Sequence, residues 1–131
     1  MPPTASPSPA RRPRRRKKPE GIRHQLAQAL AQVRDTFLLT DTELGRLLGV
    51  SRQAIGQWWS RGVPVAQMAQ VDRLCELAEV IARDVQPARI PAVIRQPADD
   101  LGGLTLLQYV KQNGAVAALD YWVRLMAYLP A

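Results

Sequence analysis

Apolar side chains recur at three- and four-residue intervals through most of the chain, a spacing typical of amphipathic helices. The first such segment runs from Ile22 to about Leu38. A longer segment has Pro64 at the position of a first-turn proline and continues to Val85. No segment alternates apolar and polar residues as a half-buried strand does. The pattern therefore predicts an all-α fold.

Two further helices are predicted near the end of the chain. One begins near Thr105 and ends at the Asn113-Gly114 pair, and the last begins near Ala115. The face of the last helix that we expect to enter the core contains either Val123 or Trp122, and also Val116, Leu119, Met126 and Leu129.

The segment between residues 40 and 62 is rich in residues that begin and end helices. Thr40 and Glu43 have the spacing of a capping box, in which each side chain accepts a hydrogen bond from the other residue's backbone N–H. Gly49 is suited to end that helix, Ser51 to cap the next one, and Gly62 to stop it. These signals predict two short helices joined by a tight turn.

Two short helices joined by a turn that contains glycine form a helix-turn-helix, a motif found in DNA-binding proteins. Gly45 lets the two helices approach closely, and Trp58 is expected in the core beside them. Glutamine can pair with adenine edges, and arginine with guanine edges or phosphates. The candidate DNA contacts are Ser51, Arg52, Gln53, Gln57 and Arg61. The neighbouring Trp59 is expected to pack on the next helix or the C-terminal module, or to stack near DNA.

The chain has 131 residues and a net charge of +7, and this charge is concentrated at the N-terminus. Residues 1–19 contain seven cations, six prolines and no acid, and the remaining 11 basic residues balance the 11 acidic ones. Such a segment cannot bury enough apolar surface to order itself, so we expect a disordered arm. It either neutralises DNA phosphates or aids solubility. The seven cations are Arg11, Arg12, Arg14, Arg15, Arg16, Lys17 and Lys18.

The sequence LGVSRQAIGQWWSRG resembles the DNA-binding segment of Xre-type, Cro/repressor-like regulators. The resemblance covers roughly residues 22–86 and implies a compact Xre/Cro-like helical domain. On this basis we divide the chain into an arm (1–19), a helix-turn-helix DNA-binding domain (20–86) and a small helical module (87–131). We expect a homodimer that binds a double-stranded DNA operator.

Residues 90–129 are similar to the toxin-binding domain of Xre/MbcA/ParS antitoxins. Val93 stands where such domains usually have Trp, and Leu106 where they usually have Pro. The similarity is carried by Ile94, Pro97, the Leu101-Gly102-Gly103 run, Thr105, Leu107 and the Asn113-Gly114-Ala115 helix break.

This second resemblance implies an antitoxin that represses its own promoter and neutralises a RES-like toxin that degrades NAD. In that family the C-terminal domain and the chain end cover the active site of the toxin. The toxin-binding residues implied here are Leu101, Gly102, Gly103, Trp122, Tyr128, Leu129, Pro130 and Ala131. The alternative is a free-standing, prophage-type repressor whose C-terminal helices join two copies.

Composition argues against several other classes of protein. One cysteine cannot form an internal disulfide, and one histidine beside it cannot build a Cys/His metal cluster. No nucleophile and base can be paired, so we expect neither an enzyme nor a bound metal or cofactor. No apolar run approaches the ~18 residues of a membrane span. Arg and Pro stand where a signal peptide would be apolar, so we expect a cytoplasmic protein, associated with the nucleoid when bound to DNA.

Overall fold

The computed structural model describes residues 19–129, which form seven α-helices, three single 3-10 turns and no strand. The predicted all-α class is confirmed for this part of the chain. The 3-10 turns are Val65–Gln67, Pro87–Arg89 and Asp99–Leu101. The α-helices are α1 (Pro19–Phe37), α2 (Asp41–Leu48), α3 (Arg52–Arg61), α4 (Met68–Asp84), α5 (Ile90–Val93), α6 (Leu106–Asn113) and α7 (Ala115–Ala127).

Capping side chains fix where α2 and α6 begin. The Thr40 hydroxyl accepts from the Glu43 backbone N–H at 3.1 Å, and the Glu43 carboxylate accepts from the Thr40 N–H at 2.9 Å. Thr105 and Gln108 form the same reciprocal pair at the start of α6. Each box satisfies two backbone donors that the first turn of a helix leaves without partners. The predicted capping box at Thr40 is therefore confirmed.

The start of α4 differs from the prediction. Pro64 lies before the helix, with extended backbone angles, and the turn Val65–Gln67 separates it from Met68, where α4 begins. The cause lies one residue earlier, because Val63 is fully buried and its N–H donates to the Arg23 carbonyl at 3.0 Å. The chain is thus held extended along α1 and turns into α4 only after this contact.

The buried side chains form one cluster that extends from Ala27 to Trp122. α1 packs along α4, α7 packs on α4 and α6, α6 also contacts α2, and α5 contacts α1. The predicted division at residue 86 stays a prediction, but the helices on its two sides share this cluster. Its largest fully buried members are Phe37, Leu30, Leu44, Ile55, Leu74, Leu77, Ile81, Ile90 and Ile94.

Two side chains join the last third of the chain to the first helices by polar contacts. The Arg95 guanidinium donates to the carbonyls of Phe37 and Leu38, each at 2.7 Å. These carbonyls lie at the end of α1, where a helix leaves acceptors unpaired and favours a positive charge. The Trp122 indole N–H donates to the carboxylate of Asp84 at 2.8 Å. Residues after position 87 are thus bound to both α1 and α4.

The predicted core face of α7 is right at Trp122, which is buried, and at Leu119 and Met126, which pack against the core, but it is wrong at Val116 and Leu129. The helix buries Ala115, Ala118 and Trp122, whereas Val116 and Val123 are 60% and 52% exposed. Both sets have helical spacing and both are apolar, so α7 has two adjacent apolar stripes. The stripe with two alanines faces the core because small side chains allow α4 and α6 to approach closely. Of the two predicted alternatives, Trp122 is the buried residue.

Val116 and Val123 are exposed on one side of α7, and two further exposed apolar residues, Tyr128 and Leu129, follow the end of the helix. We call these four residues the α7 apolar surface. It consists of Val116 (60% exposed), Val123 (52%), Tyr128 (86%) and Leu129 (52%).

Candidate nucleic-acid interface

α3 has one buried side and one side that is open to solvent. The Ser51 hydroxyl caps the helix by accepting from the Ala54 N–H at 3.0 Å, as predicted. Ile55 and Trp58 face inward and are buried against α1 and α2. This anchoring orients the opposite side of the helix toward solvent.

The turn between α2 and α3 sets the angle at which the two helices meet. Gly49 ends α2 with a φ of 72°, a left-handed conformation that glycine adopts without strain. Gly45 packs so closely that a β-carbon there would lie 2.6 Å from the Val50 carbonyl oxygen. Gln70 of α4 donates to the Leu48 carbonyl at 3.2 Å, and this hydrogen bond joins the turn to α4.

The far end of α3 is fixed to α1 by a reciprocal pair of hydrogen bonds. The Val63 N–H donates to the Arg23 carbonyl, and the Arg23 guanidinium donates to the Val63 carbonyl at 2.9 Å. Gly62 has a φ of 89° and lies against Arg23, where a β-carbon would come within 2.9 Å of the Arg23 β-carbon. Both ends of α3 are therefore held by hydrogen bonds in which one or both partners are backbone groups.

The open side of α3 contains all five of the DNA contacts predicted on this segment. The predicted residues Ser51, Arg52, Gln53, Gln57 and Arg61 are all exposed. Gln53 and Gln57 lie one helical turn apart. The sequence analysis missed two members of this surface, Gly56 and Ser60, which are also exposed. We call the exposed side formed by these seven residues the α3 face.

The charged residues of α3 and of the chain on either side of it are all basic. No acidic residue occurs between Glu43 and Asp72, and the three arginines in that interval are all exposed. The ion pairs of residues 19–129 lie elsewhere, on Arg34, Arg73 and Arg124. By contrast, α4 exposes Asp72, Glu76, Glu79 and Asp84 against two arginines.

The α3 face offers amides, hydroxyls and guanidinium groups, but no carboxylate. No protein-family model matches this chain, and a search of curated proteins finds no match. The amides, hydroxyls and guanidinium groups of the α3 face can donate to phosphate oxygens and to the acceptors on base edges. A surface of such hydrogen-bonding groups is suited to binding a polar partner.

Trp59 occupies a position that the sequence analysis did not predict. Its indole N–H donates to the Asp41 carboxylate at 3.2 Å, and the Arg34 guanidinium lies 4.7 Å from the centre of its ring. It thus contacts α1 and α2. The contact joins residues 18 positions apart, and no local pattern indicates it. The indole of Trp59 thus binds an acidic residue, Asp41, in the first turn of α2.

The toxin-binding residues predicted from the second resemblance are divided between core and surface. Leu101 and Trp122 are buried, so their side chains belong to the core and not to a surface open to a partner. Gly102 and Gly103 are exposed and follow the last 3-10 turn with left-handed φ angles of 69° and 87°. Tyr128 and Leu129 belong to the α7 apolar surface. The predicted contacts Pro130, Ala131, Arg11, Arg12, Arg14, Arg15, Arg16, Lys17 and Lys18 lie outside the described residues.

Cys75 and Tyr121 each lie in surroundings that raise the pKa of the side chain. Burial, and then the nearby charges of Asp72 and Glu79, raise the pKa of the Cys75 thiol to about 12, so it stays protonated. Burial and the adjacent Asp100 raise the pKa of Tyr121, whose hydroxyl donates to that carboxylate at 3.2 Å. Within residues 19–129, no three His, Cys, Asp or Glu side chains are grouped to hold a metal ion. No helix there is both long and apolar enough to cross a membrane.

Proposed function

We propose that this protein is a helix-turn-helix regulator that binds double-stranded DNA with α3 as its recognition helix. The observation that carries the proposal is the α3 face, which is exposed, positively charged and free of carboxylates. An α-helix fits the major groove, where base edges present distinct sets of donors and acceptors. The resemblance of residues 22–86 to Xre-type regulators supports the same function.

Within this proposal the polar residues of α3 divide by chemistry. Gln53 and Gln57 contact base edges, because an amide can both donate and accept, as an adenine edge requires. Arg52 contacts a guanine edge or a phosphate, and Arg61 and Ser51 contact phosphates at the helix ends. The seven cations of residues 1–19 add sequence-independent affinity by neutralising further phosphates.

Replacing Gln53 by alanine tests this assignment. The probe is a double-stranded DNA sequence enriched from a random library on the full chain. We expect Gln53→Ala to weaken binding of this sequence by about 1–3 kcal/mol, because a base contact is lost, while binding to random DNA stays nearly unchanged. Affinities are measured by fluorescence anisotropy at one fixed salt concentration, since salt alone changes them.

The matched control is Gln112→Ala, which removes the same exposed side chain from α6. This control should bind the enriched sequence as the unaltered chain does. If Gln53→Ala loses equal affinity for enriched and random DNA, Gln53 does not read bases. If no sequence is enriched and the chain does not bind DNA, the proposed function is wrong.

A second activity, binding to another protein, is favoured by the α7 apolar surface. Its four residues are all more than half exposed and lie near the end of the chain. Several large apolar side chains exposed on one helix and on the residues that follow it are a feature of protein–protein interfaces. The similarity of residues 90–129 to antitoxin domains supports a RES-like, NAD-degrading toxin as the partner. On this reading the protein is an antitoxin that also represses its own promoter.

The partner is tested by the double variant Val116→Glu and Val123→Glu. Both residues are exposed, so the free energy of unfolding should change by only about 0.5 kcal/mol. We expect the variant to lose co-purification with a toxin encoded by the neighbouring gene, because two carboxylates would be buried without partners in the complex. DNA affinity and the mass in solution, measured by light scattering, should stay as in the unaltered chain.

The control Gln112→Glu adds the same kind of charge to α6 and should retain the toxin. One result of the Val116→Glu and Val123→Glu double variant would support the alternative, a free-standing repressor whose C-terminal helices join two copies. If the double variant becomes a monomer and loses operator affinity, the α7 apolar surface joins two copies, because two half-sites are then no longer held together.

A further inference from the structure

Four glycines lie between residues 45 and 62, and three of them are required by the fold. Gly45 has no room for a β-carbon, and Gly49 and Gly62 have left-handed φ angles. Gly56 shares neither property. It lies inside α3 without a left-handed φ, and a β-carbon there would meet nothing within 4 Å.

Gly56 therefore lowers the stability of α3, and no close contact within the fold requires a glycine at this position. Glycine in the interior of a helix has more freedom to lose on folding than alanine, so it lowers helix stability. No neighbouring backbone or side chain approaches it from within the protein. Where such a residue lies within a candidate binding surface it indicates a functional constraint, whereas the equally open Gly21 lies in the first turn of α1, outside that surface.

The position of Gly56 indicates what that constraint is. Gly56 lies in the middle of the α3 face, one turn after Arg52 and Gln53 and one turn before Ser60. Because its neighbours on the face have longer side chains, the missing side chain leaves a notch in the surface. The floor of this notch is helix backbone, and Gln57 lies beside it.

We propose that this notch determines sequence specificity by admitting the methyl group of a thymine in the major groove. The inference rests on the proposed function. The thymine methyl is the apolar group that a base pair presents in that groove, and it projects from the base edge. Glycine allows a ligand to approach the backbone closely, and the polar neighbours can then bond to flanking base edges.

The first experiment compares Gly56→Ala with Gly21→Ala, using the enriched double-stranded DNA as probe. Gly21 is a matched control, since it is also an exposed glycine within a helix, with nothing within 4 Å of a β-carbon. Gly56→Ala should raise the melting temperature by roughly 2–4 °C, because alanine favours a helix interior, and Gly21→Ala should raise it by less, because Gly21 lies in the first turn of α1. Only Gly56→Ala should weaken binding of the enriched DNA, by about tenfold.

The second experiment removes the methyl group from the DNA. Each thymine of the enriched sequence is replaced in turn by deoxyuracil, which lacks only that methyl. At one thymine per half-site we expect the unaltered chain to lose about fourfold in affinity, the contribution of one buried methyl. For Gly56→Ala the same replacement should have no effect, because the added β-carbon already excludes the methyl.

Two results would overturn this inference. One is a Gly56→Ala variant that melts at a higher temperature and binds the enriched DNA with unchanged affinity. The other is an enriched sequence in which deoxyuracil is tolerated at every position. Failure of the proposed function is distinguishable from both, because in that case no sequence is enriched and Gln53→Ala has no effect either.

Discussion

Replacing Trp122 by alanine is expected to lower the free energy of unfolding by about 3–5 kcal/mol, the usual effect of removing a large buried aromatic side chain. Trp122 is 4% exposed and donates a hydrogen bond to Asp84, so the variant both creates a cavity and leaves the Asp84 carboxylate without this donor. Because α7 and α4 belong to one cluster of buried residues, DNA binding by the distant α3 should fall together with the helical signal. Urea denaturation followed by circular dichroism measures the first effect, and DNA titration at each urea concentration measures the second.

The neighbouring variant Val123→Ala is the control, since Val123 is about half exposed and its change should stay within about 0.5 kcal/mol. Trp122→Phe separates packing from hydrogen bonding. It keeps a ring in the core but loses the N–H, so we expect an intermediate loss of about 1.5–3 kcal/mol. The shared core would be refuted by two separate transitions, with DNA binding retained after α7 has unfolded.

Gly45→Ala is expected to destabilise the protein by about 1–3 kcal/mol and to weaken DNA binding, because the added β-carbon would meet the Val50 carbonyl oxygen at 2.6 Å. That oxygen belongs to the backbone of the turn and cannot rotate away as a side chain would. The Val50 N–H also donates to the Gly45 carbonyl at 2.9 Å, so the turn cannot shift without losing this hydrogen bond. The expected loss is net of the roughly 1 kcal/mol that alanine gains over glycine in a helix.

Gly56→Ala serves as the stability control for this variant, because it makes the same chemical change in the next helix, where a β-carbon has open space. Thermal melting should place the two variants on opposite sides of the unaltered chain. If Gly45→Ala melts at a higher temperature instead, α2 and the turn are not in the close contact described above.

Local features of the sequence predicted the elements that form the candidate site. The capping box of Thr40, the Ser51 cap and the helix-ending Gly49 all act over three or four residues, so their spacing can be read directly. The exposure of Gln53 and Gln57 follows from the same periodicity, since the buried Ile55 and Trp58 fix which side of α3 faces inward.

Contacts between distant residues could not be predicted in this way. Arg95 reaches the end of α1 across 57 and 58 positions, and the Asp84–Trp122 hydrogen bond spans 38. In α7 the sequence has two apolar stripes, and only the shapes of α4 and α6 decide which one is buried. Gly56 was missed because an open notch becomes visible only when its surroundings are known.

The uneven charge of the folded part has a consequence for the rate of association. Exposed arginines lie on and around α3, exposed carboxylates predominate on α4, and both helices pack on α1. Separated charges of this kind produce a dipole moment, which would experience a torque in the field of a polyanion before any contact forms. The protein would then turn its α3 face forward during approach, and more of its collisions with a charged strand would be productive. Raising the salt concentration would remove this orientation and slow the encounter.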